Sequence, residues 1–276
     1  MVSRIGKSKK TRGKSIHTHK HKNYVSSIIN NVIEDADIIL EILDSRFIEK
    51  TRNFEVEKRV KKLRKVIIYV LNKSDLVNIN KTKLNRELEK LKPHVFLSSK
   101  ERSGYVNLKK VIQIQSKKLK QDSVNIGVVG YPNTGKSSLI NFLTGKSAVK
   151  TSSEAGYTKG IQKIKFSKGL YLIDTPGIIP ISEKSSTSIA NLVKHPQIGA
   201  VTWDKTPNPD LVVDRLMKEY PGILEKHYGI NAKMDLEILI EKLGKKLNYL
   251  KKGNLIDEIR TAKKILRDWQ EGKIRT

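Results

Sequence analysis

GYPNTGKSS, Gly130 to Ser138, follows the apolar run VNIGVVG (Val124 to Gly130) and opens a stretch of helical period, Lys136 to Leu143. A strand that ends in a glycine-rich turn and runs straight into a helix is the context a phosphate-binding P-loop requires. Gly130 and Gly135 would let backbone N–H groups turn inward around phosphate, and the helix N-terminus would add its dipole. Lys136 would then reach the β and γ phosphates, the Ser137 hydroxyl would ligate magnesium, and Asn133, Thr134, Gly135 and Ser138 would line the cradle. A glycine turn that merely joins strand to helix is the competing reading, and the flanking strand and helix weigh against it.

On the C-terminal side, LYLID from Leu170 ends in DTPG, Asp174 to Gly177. A carboxylate there can hold the magnesium shell and the Gly177 N–H can point at a γ-phosphate. Alone, DTPG is a common strand-to-turn sequence; paired with an upstream P-loop it becomes a nucleotide signal. Between the two lies a polar segment, Lys150 to Gly160, with Thr158 in GYTKG as the candidate switch threonine and magnesium ligand. Thr151, Ser152 and Ser153 are its rivals.

On the N-terminal side, KVIIYVL from Lys65 ends in NKSD, Asn72 to Asp75. Guanine offers two adjacent donors, its ring N–H and its exocyclic amino group, and an ionised carboxylate accepts both at once. Asp75 would read the base, Asn72 would pin the loop and the alkyl stem of Lys73 would cover the ring. An Asn/Asp turn capping the next helix is the alternative. HVFLSSK follows from His94, and a backbone N–H among Ser98, Ser99 and Lys100 could donate to the guanine carbonyl.

These runs, with DIILEIL from Asp37 and KIKF from Lys163, alternate with helical stretches at Glu55–Lys62, Lys81–Leu91, Tyr105–Leu119 and Lys136–Leu143. The alternation predicts an α/β fold: a doubly wound, mainly parallel sheet with helices on both faces and ligands at the carboxyl ends of its strands. After about Pro180 the strand signal stops. Amphipathic stretches at Pro209–Tyr220, Leu224–His227, Asp235–Leu247 and Leu255–Trp269 predict a small all-α domain.

Composition narrows the partners. The 276 residues, 37% of them hydrophobic, suffice for a sizeable core, and the absence of cysteine excludes disulfides, thiol nucleophiles and thiolate metal sites. No apolar run spans a bilayer and no signal peptide opens the chain, so a cytoplasmic protein is expected. Lys and Arg number 55 against 28 Asp and Glu, a net charge of +27 that predicts a polyanionic partner. Residues 1–22 carry eight of the bases and no acid, and read as a tail disordered until it meets phosphate. Its HTHKH stretch has no carboxylate or thiol nearby to complete a metal site, so it reads as basic arm. Residues 242–276 form a second basic cluster.

Together these pieces resemble the guanine- and phosphate-binding motifs of the TRAFAC-class GTPases, in rotated order, with NKSD and SSK before the P-loop and DTPG last. With DSR (Asp44 to Arg46) in front, that order resembles the circularly permuted GTPases of the YlqF/YawG family, whose members include nucleolar GTP-binding proteins. YPGILEKHYGI from Tyr220 and ILRDWQEGKI from Ile265 are similar to its helical C-terminal domain, so the resemblance spans roughly residues 21 to 276. It implies a tail at 1–22, a circularly permuted GTPase domain at 23–184 and a helical RNA- or ribosome-binding domain at 185–276. It also implies GTP or GDP with Mg2+, GTP hydrolysis, and rRNA of the large ribosomal subunit as the polyanion. Lys136, Thr158 and Gly177 would serve catalysis, with His21 matched to a family histidine 23 residues ahead of Asp44, although His17 and His19 stand close by. Asn133 matches a family asparagine that implies a potassium ion; bracing of the loop is the other role open to it. Where Ras-like proteins place a water-orienting glutamine this chain has Ile178, which can neither accept nor donate a hydrogen bond.

Overall fold

The computed structural model describes residues 30–80, 86–145, 162–175, 177, 179–184 and 188–275. The tail with His17, His19 and His21, the segment with Thr158 and its rivals, and Ile178 lie outside the described residues.

All six expected strands form: β1 (Ile38–Asp44), β2 (Val66–Asn72), β3 (His94–Phe96), β4 (Val124–Gly130), β5 (Gln162–Ser167) and β6 (Leu170–Asp174). They make one sheet in the order β3-β2-β1-β4-β6-β5, parallel except for β5 against β6. β1 is buried along its whole length, as the central strand of a sheet covered on both faces must be. Ile38, Leu40 and Ile42 point to one face, under α2 (Tyr105–Lys118) and α3 (Lys136–Thr144), with Leu108, Ile112, Leu139 and Ile140. Ile39 points to the other, with Val56 and Val60 of α1 (Phe54–Lys62) and with Val32 and Ile33. Glu41 is also fully buried, though its neighbours along β1 are apolar.

The chain leaves β4 toward β6 on one side and leaves β1 toward β2 on the other. The sheet's switch point therefore lies between β1 and β4, where open α/β sheets hold their ligands. The loops after β1, β2, β3, β4 and β6 carry DSR, NKSD, SSK, the P-loop and DTPG, so one edge of the sheet collects every motif.

Beyond β6 come a one-turn helix (Ile181–Lys184) and then α4 (Ile189–Gln197), α5 (Pro209–Glu219), α6 (Ile223–Tyr228), α7 (Leu236–Lys246) and α8 (Glu258–Gln270). They enclose a second core around Val212, Leu216, Leu239, Ile265 and Trp269, which also takes in Phe47 and Tyr131 from the loops after β1 and β4. One departure from an all-helical reading is a hairpin of two-residue strands, β7 (Leu250–Lys251) and β8 (Leu255–Ile256). Gly253 and Asn254 supply its turn at positive φ. Two-residue strands are too short to register as alternation. The helix expected from Leu255 therefore starts at Glu258, capped by the Asp257 side chain, which accepts from the Arg260 N–H at 3.1 Å.

Candidate functional site

Asn72 is the joint of the site. Its Nδ2 donates to the Thr134 carbonyl in the P-loop at 2.7 Å, and its Oδ1 accepts from both the Ser99 backbone N–H and the Ser99 hydroxyl at 3.1 Å. Its own carbonyl accepts from the Ser45 N–H of DSR at 2.8 Å. One buried residue thus ties four motif loops together, through its side-chain amide and its own carbonyl. The P-loop fits it closely: Gly135 has φ +100°, and a Cβ there would lie 2.2 Å from Asn72 Nδ2. Gly130 is equally constrained, since its Cβ would lie 2.6 Å from the Ile42 carbonyl.

Lys136 opens α3, buried, with its Nζ donating to the Tyr131 carbonyl at 2.7 Å. The Thr134 hydroxyl donates to the same carbonyl at 2.9 Å. Ser137 and Ser138 follow in the first turn of α3, where backbone N–H groups have no partner within the helix. Gly177 packs against the P-loop: a Cβ on it would come 2.8 Å from Pro132 Cα and 3.2 Å from Lys136 Nζ. Asp174 ends β6, beside β4 in register with Val128. The Ser137 hydroxyl, in the first turn of α3, is an oxygen ligand of the kind a hard divalent cation takes.

At the other end, Asp75 lies in the turn after β2, its Oδ1 accepting from the Ser98 hydroxyl at 2.6 Å. Lys73 stands before it in the left-handed conformation, φ +59°, with its Nζ 2.8 Å from Asp44 Oδ2. Burial alone would push the Asp44 carboxyl up, but the Lys73 ammonium and the Arg46 guanidinium hold it well below the usual carboxylate range. Arg46 donates to both Asp44 oxygens and, through Nη1, to the Trp269 carbonyl at the end of α8 at 2.9 Å. DSR therefore holds Lys73 and ties the loop after β2 to the helical part.

Asn72, Lys73, Asp75, Leu76, Ser99, Lys100, Asn133, Gly135 and Ser138 line one cavity of about 360 Å³. Gln270 and Glu271 of the C-terminal helix close its remaining wall. The sequence reading missed those two, as it missed Gly199, whose carbonyl accepts from Asn133 Nδ2 at 2.8 Å. It missed Tyr131 as well, whose hydroxyl donates to Glu183 at 2.8 Å; Glu183 also accepts from Lys194 at 2.6 Å and pairs with His195 at 2.9 Å. ILRDWQEGKI signalled a helix and a likeness to the family's C-terminal domain, but nothing in a sequence says that its end folds back onto the loop after β2.

A P-loop, an Asn-Lys-x-Asp and an Asp-x-x-Gly gathered at one sheet edge define a P-loop GTPase domain, here in circularly permuted order. Residues 125–237 match the family model described as 50S ribosome-binding GTPase. An uncharacterized GTP-binding protein of Methanocaldococcus jannaschii is 38% identical over 255 residues, covering 91% of this chain and 66% of its own length. Nucleolar GTP-binding protein 2 of Saccharomyces cerevisiae is 33% identical over 251 residues, 88% of this chain and 50% of that protein. The chain thus spans between half and two thirds of these relatives' lengths. The GDP-bound structure of YlqF superposes with a TM-score of 0.62 and 25% identity, over 90% of this chain and 95% of that one. The chain belongs to the YlqF family of circularly permuted GTPases.

Proposed function

We propose that the protein binds GTP and Mg2+, hydrolyses GTP, and uses the nucleotide state to bind and leave rRNA during assembly of the large ribosomal subunit in the cytoplasm. The observation that carries this reading is the convergence of the loops after β2, β3 and β4 on one cavity, with Asp75 and the P-loop both in its lining. Lys136 and the N–H groups at the start of α3 stabilise charge that grows on the phosphates in the transition state. Ser137, Asp174 and Thr158 are the residues that would hold Mg2+, which would supply positive charge against the phosphates. Asn133, whose Nδ2 donates to the Gly199 carbonyl, is the residue that would hold a potassium ion, which would supply further positive charge. Thr158 enters through its place in GYTKG between the P-loop and DTPG, His21 through the family resemblance and Ile178 through comparison with Ras-like proteins.

We take residues 23–184 as the nucleotide unit and 185–276 as the RNA-binding unit. Support for the second comes from a groove of about 510 Å³ lined by Trp203, Tyr249, Arg260, Lys263, Lys264 and Arg267. The Arg260 guanidinium stacks 4.1 Å from the Tyr249 ring and that of Arg267 5.2 Å from the Trp203 ring. Flat cations backed by aromatics suit phosphates and unstacked bases. Support for a switch comes from Glu183, which lies just behind DTPG and joins P-loop Tyr131 to Lys194 and His195 of α4. A change at Gly177 therefore has a short route to the helices.

A second reading, in which GTP is only a structural ligand of an RNA-binding factor, is favoured by Ile178 in place of the water-orienting glutamine. GTP turnover by the pure protein, with and without large ribosomal subunits and in potassium or sodium salt at fixed ionic strength, separates the two. Stimulation by subunits is expected, with faster turnover in potassium. Negligible turnover under every condition favours the structural ligand, and equal rates in both salts remove potassium.

A further inference from the structure

We propose that Glu271 forms a ribose subsite: its carboxylate accepts hydrogen bonds from the 2′- and 3′-hydroxyls of the nucleotide held between Asp75 and the P-loop. The inference rests on the guanine-nucleotide reading and extends the site from the sheet onto the end of α8.

The cavity has two ends whose occupants follow from chemistry. Lys73, Asp75 and Ser99 surround the base end, and Gly135 and Ser138 the phosphate end. A nucleotide spanning them carries its sugar past the wall formed by Gln270 and Glu271. Of the charged side chains lining the cavity, Lys73 and Lys100 suit a polyanion and Asp75 is engaged by the base donors. Glu271 is the remaining carboxylate of that lining, and a carboxylate facing phosphate would weaken binding. It suits the site if it faces donors, and the donors a nucleotide offers away from its base edge are the ribose hydroxyls. Dinucleotide-binding folds pair an acidic side chain with the ribose in the same way.

The neighbouring Gln270 cannot take that role. Its Nε2 donates to the Pro196 carbonyl at 2.7 Å and to the Val201 carbonyl at 3.0 Å, while its Oε1 accepts from the Trp203 N–H at 3.0 Å. These bonds hold the backbone that presents Glu271. Two more contacts seat the same turn on the base loop. Arg46 Nη1 holds the Trp269 carbonyl, and Gly272, at φ +73°, lies so close to Leu76 that a Cβ would come 2.7 Å from its side chain. Leu76 is the residue after Asp75, so the acidic side chain is positioned relative to the base reader itself.

Glu271 is also prepared as an acceptor. Arg267 Nε donates to its Oε1 at 2.7 Å and Lys273 Nζ lies 2.7 Å from its Oε2. Bonding to Arg267 and then to Lys273 lowers the pKa of the carboxyl, which keeps it ionised. Each carboxylate oxygen has a second lone pair for a hydroxyl. A hydrogen bond to a charged group separates a ligand from its deoxy analogue by roughly tenfold or more.

The test is calorimetric titration of the full chain with GDP and with 2′,3′-dideoxy-GDP. Wild type is expected to bind GDP at least about tenfold more tightly than the dideoxy analogue. Glu271→Ala should bring the ratio to about one by weakening GDP alone, its affinity for the dideoxy analogue remaining that of wild type. Equal wild-type affinities for the two ligands would overturn the subsite while leaving the guanine reading intact. So would a Glu271→Ala variant that keeps the ratio, or one that loses both ligands together, since the latter marks a purely structural role. Failure of wild type to bind either ligand would instead remove the guanine reading, and the subsite with it.

Discussion

Replacing Asn72 with alanine should disable the site without touching any atom expected to contact the nucleotide's phosphates. The substitution removes the bond to the Thr134 carbonyl and both bonds from Ser99, and it strands the Thr134 carbonyl and the Ser99 N–H in a part of the protein where Asn72 itself is 1% exposed. A net buried hydrogen bond contributes about 1 kcal/mol, and a stranded partner costs about 1–3 kcal/mol. Two stranded groups at about 1.5 kcal/mol each cost about 3 kcal/mol. Since about 1.4 kcal/mol is a factor of ten, GDP affinity should fall on the order of a hundredfold if the loss is borne by the loops that nucleotide binding needs in register. Asn72→Asp is the companion variant. It keeps the acceptor for Ser99 but sets a carboxylate oxygen against the Thr134 carbonyl, and should be at least as damaging. Calorimetric titration with GDP reads the affinity, and urea unfolding of the nucleotide-free protein reads the share lost from stability. If Asn72→Ala binds GDP within threefold of wild type and unfolds at the same urea concentration, Asn72 is not the joint between the loops.

Three further outcomes follow from the geometry. Gly177→Ala would put a methyl group 2.8 Å from Pro132 Cα, and overpacking of about 1–3 kcal/mol should weaken a non-hydrolysable GTP analogue more than GDP in competition titrations; equal weakening would detach Gly177 from the γ-phosphate. Burial, with help from the nearby Glu57 charge, pushes the Glu41 carboxyl up to about 8, so the folded chain keeps a proton that the unfolded chain releases near 4.5. The stability this proton gives is present at low pH and is lost as pH rises through about 8, at up to about 1.4 kcal/mol per pH unit. Glu41→Gln, which cannot ionise, should show a smaller fall in urea midpoint from pH 5 to pH 8 than wild type, and parallel profiles would refute the assignment. Arg260→Ala with Arg267→Ala should flatten the slope of log K against log salt for rRNA binding, and an unchanged slope would put the RNA surface elsewhere.

The sheet was legible because most of its strands are apolar runs of β-branched residues and leucine that end in a polar motif. DIILEIL and KVIIYVL could hardly be anything but central strands, and the P-loop between VNIGVVG and a helical stretch set the direction of the sheet. The phosphate and base residues could be named for the same reason, since those motifs are local in sequence. Contacts that are long in sequence escaped. Arg46 to Trp269, Asn133 to Gly199 and Gln270 to Val201 depend on where the helices dock, and docking is set by a core whose members Phe47, Tyr131 and Trp269 come from three distant stretches. Glu41 was hidden for another reason: inside a buried strand a single glutamate looks like the solvent-facing step of an alternating pattern.

We expect the loop after β2 to read guanine through Asp75. The direct measurement is the affinity of wild type and Asp75→Asn for GDP, xanthosine diphosphate and ADP. Wild type should bind GDP far more tightly than the other two, by about 10⁴-fold or more for a site built to pair the missing donors. Asp75→Asn should lose GDP and gain xanthosine diphosphate, whose oxygen at the altered edge accepts where guanine donates. A wild-type protein that binds ADP as tightly as GDP, or an Asp75→Asn variant with unchanged preference, would contradict the claim.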